Sequence, residues 1–429
     1  MSFDVRTAWP IVDIISSLGS SRVTRKQERV GTLATRYRYV VVGAGMAGMS
    51  AVRGIREVDP EGEILVVGDE PFLPYARPPL SKGLWRGAKL EALWDPDALN
   101  VAHLHYQLGS PVIDIDREAH LIETATGFSA EYDKLLLAIG GHARHLPGVH
   151  ADIYYPGSLG EHLRLLRRLD QGPLRIIVVG GGFVGSEMAA ALSEGGHQID
   201  WIVPENEPFA RLFPATLRTR LFSAYQDHGV EVTTGTRVES IEQAGNQPVV
   251  VTRAGRRLLA DIVVIGAGWE LNMGIAGTQG LVETDAPGIL VDAYGRTGVT
   301  DIYAAGDIAR LQGDVAPMMH EDRALTQGRI AGRNMAGAQE VYATRPFFYS
   351  DIYSWGYEAV GRLDTRYEMV EDWAQPGEEG VVYYLDKQRL VGILNWNVWD
   401  GISTARTLLD SDRVWNPDEL RGRITNVNP

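Results

Sequence analysis

Two glycine-rich hexapeptides, Gly43-Ala44-Gly45-Met46-Ala47-Gly48 and Gly180-Gly181-Gly182-Phe183-Val184-Gly185, carry the clearest chemical signal in this chain of 429 residues. Between a strand and a helix, the first glycine of such a turn reverses the chain. The second lets backbone N–H groups approach a pyrophosphate, and the third lets the helix pack close to the strand. A carboxylate follows each copy at the spacing that reaches a ribose 2′-hydroxyl: Asp69 lies 21 residues after Gly48, and Glu205 lies 20 residues after Gly185. One such fingerprint is weak evidence, because glycine-rich turns are common. Two in one chain, each with its acid, imply two dinucleotides, and the simplest redox pairing is a flavin with a nicotinamide, hydride passing between them. Glu205 would repel a 2′-phosphate and no arginine immediately follows it, which favours NADH over NADPH; Arg211 leaves NADPH open.

The elements that must position these residues are legible around them. Residues 37–42 form an apolar, β-branched run of the kind found in buried parallel strands, a helix runs from the turn to about residue 58, and residues 64–67 form a second strand. The pattern recurs 137 residues later, with a strand at 175–179, a helix at 186–194 and a strand at 199–203. Residues 133–140, 261–266 and 300–307 read as further apolar strands ending near glycine, where backbone approaches a ligand. After Pro346 the texture changes. Residues 367–371, 381–385 and 390–395 read as short antiparallel strands around the turn Asp386-Lys387, and residues 402–409 as a closing helix.

Composition narrows the chemistry. The length implies more than one domain, and 45% hydrophobic residues with 22% charged residues provide for packed cores. A formal charge of −14 argues against nucleic acid as a partner, because phosphate binding is driven by Lys and Arg. With zero cysteines, disulfides, thiol catalysis, thiolate zinc and ordinary iron–sulfur ligation are excluded. Redox chemistry must then come from a bound organic cofactor or a non-thiolate metal site, and no metal site is assigned. No apolar run reaches the 18 or so residues of a membrane span. The first 36 residues carry Arg22, Arg25, Lys26 and Arg29, but Asp4, Asp13 and Glu28 speak against a transit peptide, so they read as an extension of a cytoplasmic protein.

At the level of longer motifs the chain resembles the FAD-dependent pyridine nucleotide oxidoreductases of the ferredoxin-reductase type. The motifs are Leu73-Pro74-Tyr75-Ala76-Arg77-Pro78-Pro79-Leu80-Ser81-Lys82, the second glycine turn with Ser186-Glu187, and Ala305-Gly306-Asp307. Within that group it is most similar to apoptosis-inducing factor and its bacterial relatives, through Phe348-Tyr349-Ser350-Asp351, Gly356-Tyr357-Glu358-Ala359-Val360-Gly361 and Val391-Gly392-Ile393-Leu394-Asn395-Trp396-Asn397. The expected fold class is α/β, with two Rossmann-like dinucleotide-binding domains and a C-terminal α+β domain. The expected boundaries are an N-terminal extension at 1–36, a discontinuous FAD-binding domain at 37–150 and 275–345, an NAD(H)-binding domain at 151–274 and the C-terminal domain at 346–429.

Position by position, the resemblance implies roles. Gly43, Gly45 and Gly48 would meet the FAD pyrophosphate, and Asp69 the adenosine ribose. Arg77, Lys82 and Arg144 match FAD contacts, Val112 would present backbone to the adenine, and Asp307 would bind the ribityl chain. Gly180, Gly182, Gly185 and Glu205 would hold NADH. Lys82 and Glu187 would pair beside the flavin N5, Phe183 would cover the ring until nicotinamide displaces it, and His320, opening a helix, would face the flavin C2 carbonyl. Tyr349 stands where the relatives carry a flavin-flanking tryptophan, and Trp355 and Trp396 are further candidates for the flavin surroundings. Read without the resemblance, Lys82 is a solvated helix-start lysine, Phe183 ordinary helix–sheet packing and His320 a structural histidine. The chain departs from the family pattern at Ile139 and Leu271, and at Pro317 and Met319, where an arginine and a glutamate are usual; the last pair bears on the nucleotide and the acceptor.

The leading expectation is an enzyme that takes a hydride from NADH onto FAD and passes electrons to a quinone, oxygen or a redox protein. One alternative is the ferredoxin reductase component of an oxygenase system. Ferredoxins are commonly acidic, so a chain at −14 would need a local basic patch to bind one. An alternative of another class is a sensor in which NADH forms a charge-transfer complex and changes the oligomeric state, for which a homodimer is the simplest form.

Overall fold

The computed structural model describes residues 34–148, 152–278, 280, 286–314 and 318–425, so nearly all of the expected N-terminal extension lies outside the described residues. They form two compact units, and the chain passes from one to the other several times. The first unit comprises the residues up to Ala76 together with Glu91–His142 and Leu271–Thr344; the second comprises Arg77–Leu90, Ala143–Glu270 and the residues from Arg345 onward.

The first unit is built on a seven-stranded sheet. Strands Leu104–Gln107, Ile64–Val67, Thr35–Val42, Ser129–Leu137 and Ile302–Ala304 lie side by side and parallel. The hairpin Val112–Asp116 and Leu121–Thr124 joins the outer edge of Ser129–Leu137 in antiparallel sense. Both faces are buried, as a parallel sheet requires: Val40, Val42, Leu65 and Leu135 line one core, and Tyr39, Val41, Ile64 and Val66 the other. On the second face, helix Met46–Arg56 packs against helix Glu321–Met335 at backbone distance. A Cβ on Gly328 would lie 2.3 Å from the Ala47 carbonyl oxygen, and one on Gly332 would lie 2.0 Å from that of Ala51. Only small residues at this seam let the two helices approach so closely.

The second unit repeats the theme with a five-stranded parallel sheet in the order Glu231–Thr233, Gln198–Ile202, Arg175–Val179, Ile262–Ile265, Ile153–Tyr154. Its C-terminal segment forms an antiparallel sheet in the order Phe347–Ile352, Trp355–Gly361, Arg389–Trp396, Glu379–Asp386, Glu368–Gln375, followed by helix Ile402–Asp410. These two sheets share one aromatic core. Phe213 meets Tyr357 edge-on with ring centroids 5.2 Å apart and Trp396 at 5.8 Å, while Tyr357 and Trp396 stack. The structure therefore places Trp396 in that core with no exposure, and Trp355 next to it with its indole N–H donated to Glu378 at 2.8 Å. Both rings are held by packing within this unit.

Candidate functional site

In the first unit, strand Thr35–Val42 delivers the chain into the glycine turn. Gly43 has φ +114°, and a Cβ there would lie 2.1 Å from the Ala138 carbonyl oxygen, so no other residue fits. A Cβ on Gly48 would lie 2.1 Å from the Gly43 carbonyl oxygen, the close helix–strand approach that the third glycine permits. Gly45 caps helix Met46–Arg56 without a side-chain hydrogen bond, and nothing lies within 4 Å of the position of its missing Cβ. The first-turn N–H groups and the helix dipole thus face an open cradle, which fits a pyrophosphate.

The same unit carries Asp69 just beyond strand Ile64–Val67, exposed and accepting the Glu70 N–H at 3.0 Å. Val112 opens its strand next to a register irregularity between Val112 and Asp114. Asp307 sits in the single turn Gly306–Ile308 after strand Ile302–Ala304, and the Gly306 N–H in that turn donates to Gln327 Oε1 at 3.0 Å. His320 occupies the N-cap position of helix Glu321–Met335. Burial first, and the Arg323 charge second, pull its pKa down to about 4, so the imidazole is neutral at physiological pH.

The second unit reproduces the turn feature by feature. Gly180 has φ +117° and its Cβ would lie 2.2 Å from the Gly266 carbonyl oxygen, while a Cβ on Gly185 would lie 2.1 Å from that of Gly180. Gly182 caps helix Phe183–Glu194, again without a side-chain bond and with nothing within 4 Å. Glu205 lies over this turn, its Oε2 2.6 Å from where a Cβ on Gly181 would be. Arg211 is engaged elsewhere, its Nη2 3.2 Å from Asp364 Oδ2.

Glu187 is the centre of the polar cluster in this unit. Its side chain is 1% exposed, and Lys82 Nζ, on a side chain 14% exposed, pairs with Oε1 at 2.9 Å. The Ser81 hydroxyl donates to Oε2 at 2.6 Å, and the Ser350 hydroxyl donates to Oε1. Lys82 Nζ also lies 5.1 Å from the centroid of the Tyr349 ring. Phe183 begins its helix half-buried, with its ring 5.6 Å from that of Phe348. Arg77 donates to the Gly157 carbonyl at 2.6 Å, and Arg144 Nε lies 3.0 Å from Glu270 Oε1.

The sequence-derived candidates thus divide between the units. Gly43, Gly45, Gly48, Asp69, Val112, Asp307 and His320 belong to the first, and Arg77, Lys82, Arg144, Gly180, Gly182, Phe183, Gly185, Glu187, Glu205 and Tyr349 to the second. Sequence reasoning missed Ser81, Ser350, Gln327 and the buried His162. Ser81 and Ser350 each had one signal, their places beside Lys82 and Tyr349. Among the described residues no cluster of His, Asp and Glu could hold a metal ion, and no helix is long and apolar enough to cross a membrane.

Residues 37–331 match the model of the pyridine nucleotide-disulphide oxidoreductases. The chain belongs to this family. It is similar to the 3-phenylpropionate/cinnamic acid dioxygenase ferredoxin–NAD(+) reductase component of Photorhabdus laumondii, 29% identical over 86% of this chain and 95% of that one. It is also 29% identical to apoptosis-inducing factor 1 of Dictyostelium discoideum, over 87% of this chain and 78% of the relative. Putidaredoxin reductase, solved in covalent complex with putidaredoxin, superposes with a TM-score of 0.82 at 27% identity, covering 90% of this chain and 95% of that chain. The chain is an FAD-dependent NAD(P)H oxidoreductase with two dinucleotide-binding folds. Because it has no cysteine, the disulfide that gives the family its name has no counterpart within it.

Proposed function

We propose that this chain takes a hydride from NADH onto FAD and passes the electrons to a small iron–sulfur protein of the ferredoxin type. The carrying observation is the pair of uncapped helix N-termini, one at Gly45 and one at Gly182, each beside an acid that can bind ribose. Bound FAD would supply the two-electron acceptor from which electrons then leave singly. In the first unit, the Gly43–Gly48 turn would hold its pyrophosphate, Asp69 the ribose, Asp307 the ribityl chain and Val112 the adenine through its backbone. Neutral His320 at its helix N-terminus would oppose negative charge on the reduced ring. Arg77, Arg144 and Lys82 would complete the flavin contacts, Lys82 as the ammonium kept in place by Glu187. Phe183 and Tyr349 would supply aromatic faces to the reacting rings.

In the second unit, the Gly180–Gly185 turn would hold NADH. Glu205 folded over that turn repels a 2′-phosphate, and Arg211 is drawn toward Asp364, which supports NADH over NADPH. An iron–sulfur acceptor is supported by the ferredoxin reductases among the relatives and by the near full-length likeness to putidaredoxin reductase.

Steady-state reduction of cytochrome c, with and without an added iron–sulfur ferredoxin and with either nucleotide, tests both parts. The expected result is a rate that depends on the ferredoxin and a preference for NADH of about tenfold or more. Equal rates without the ferredoxin would overturn the acceptor, and equal use of NADPH would overturn the role of Glu205.

A further inference from the structure

We infer that Ser81 and Ser350 are positioning residues for Lys82, acting through the two oxygens of the buried Glu187 carboxylate. A carboxylate on a side chain 1% exposed is costly unless its lone pairs are filled, and a single ammonium on Oε1 leaves Oε2 unmet. Ser81 fills Oε2 and Ser350 adds a second donor to Oε1. Ser81 on Oε2 and Ser350 on Oε1 together fix the orientation of the carboxylate plane, and with it the oxygen that the ammonium meets. The ammonium lies 2.9 Å from Oε1 and 5.1 Å from the centroid of the Tyr349 ring.

The connectivity of the cluster supports this. Ser81 and Lys82 are consecutive, as are Tyr349 and Ser350, so two dipeptides from separate elements grip one carboxylate and one ammonium. In strand Phe347–Ile352 neighbouring side chains point to opposite faces, which lets Tyr349 meet the ammonium while Ser350, itself fully buried, meets the carboxylate. The phenols of Tyr225, on helix Ala215–Asp227, and Tyr357, on strand Trp355–Gly361, also feel Glu187. Burial keeps both protonated, so they add no charge to the cluster.

This inference rests on the proposed action of Lys82 on the flavin, and the test separates the two. FAD-loaded full-length chain is compared with Ser81→Ala, Ser350→Ala, Lys82→Met and the two serine changes in the Lys82→Met background. The readouts are the stopped-flow rate of flavin bleaching by NADH, the NADH dissociation constant and the flavin midpoint potential. Each serine change is expected to slow bleaching about tenfold or more, the loss of one hydrogen bond to a charged group, with NADH affinity unchanged. The potential is expected to fall, because a less satisfied Glu187 neutralises more of the ammonium. Ser81→Thr, which keeps the hydroxyl, restores the rate, and in the Lys82→Met background the serine changes add nothing. Wild-type rates and potentials in both serine variants, beside a slow Lys82→Met, would overturn this inference alone. A wild-type Lys82→Met would overturn the role of Lys82 and this inference with it. Full additivity in the Lys82→Met background would also overturn it, and if Ser350→Ala does not load FAD, Ser81→Ala and its threonine rescue decide.

Discussion

His162 shows what the burial of a polar side chain costs. It lies on helix Leu159–Leu169, 4% exposed, with its ring edge against Trp85 at 4.7 Å and Nδ1 without a hydrogen-bond partner. Burial, only partly offset by a hydrogen bond to the Leu80 backbone, lowers its pKa from 6.5 to about 4. Between those values the unfolded chain binds the proton and the folded chain does not. The stability tied to His162 is therefore complete above about pH 6.5 and is lost as pH falls toward 4, by up to about 3 kcal/mol at the acid end. His320, lowered to about 4 for the same reason, acts in the same direction. The urea midpoint is expected to fall between about pH 7 and about pH 5, and to fall less in His162→Phe; equal falls would assign the effect to other groups. At this scale the glycines were legible because their spacing is itself the signal. The serines were not, because serine is common and the partner of these two lies 106 and 163 residues away along the chain.

At the scale of elements, the molecule uses one strand–turn–helix device twice, and each copy belongs to its own unit. Gly48→Ala would drive a methyl group to within 2.1 Å of the Gly43 carbonyl oxygen, and Gly185→Ala would do the same at Gly180. Relieving such a clash moves the helix start away from the strand and costs about 1–3 kcal/mol, enough to weaken nucleotide binding about tenfold or more. Gly48→Ala is expected to lose flavin while still binding NADH, and Gly185→Ala to stay yellow while binding NADH poorly. Visible absorbance and calorimetric titration with NADH check this; loss of both ligands in either variant would contradict the separate assignment of the two turns. These elements were readable because parallel strands buried on both faces are continuous apolar runs. Strands Phe347–Ile352 and Trp355–Gly361 were not read. Their aromatic residues are broken by serine and glycine, and their place is fixed by pairing with each other and with the distant Arg389–Trp396. The packing of Trp396 against Phe213, Tyr357 and Trp355 was not legible for the same reason: only the assembled sheet brings these rings together.

The whole molecule follows from the repeat and from what the chain lacks. Two dinucleotide folds and an antiparallel C-terminal sheet make up most of the described residues, and without cysteine, electrons must travel through bound cofactors. Fold class and family were legible because the repeat and the longer motifs span most of the chain. That residues 77–90 pack with the second unit was not, since no change of composition marks Arg77 or Leu90. An FAD held by this chain should be reduced by NADH, and the experiment that decides this is an anaerobic titration of the FAD-loaded protein with NADH. About one equivalent of NADH per FAD is expected to bleach the visible flavin band. A flavin band that persists in excess NADH, yet disappears on adding dithionite, would contradict it.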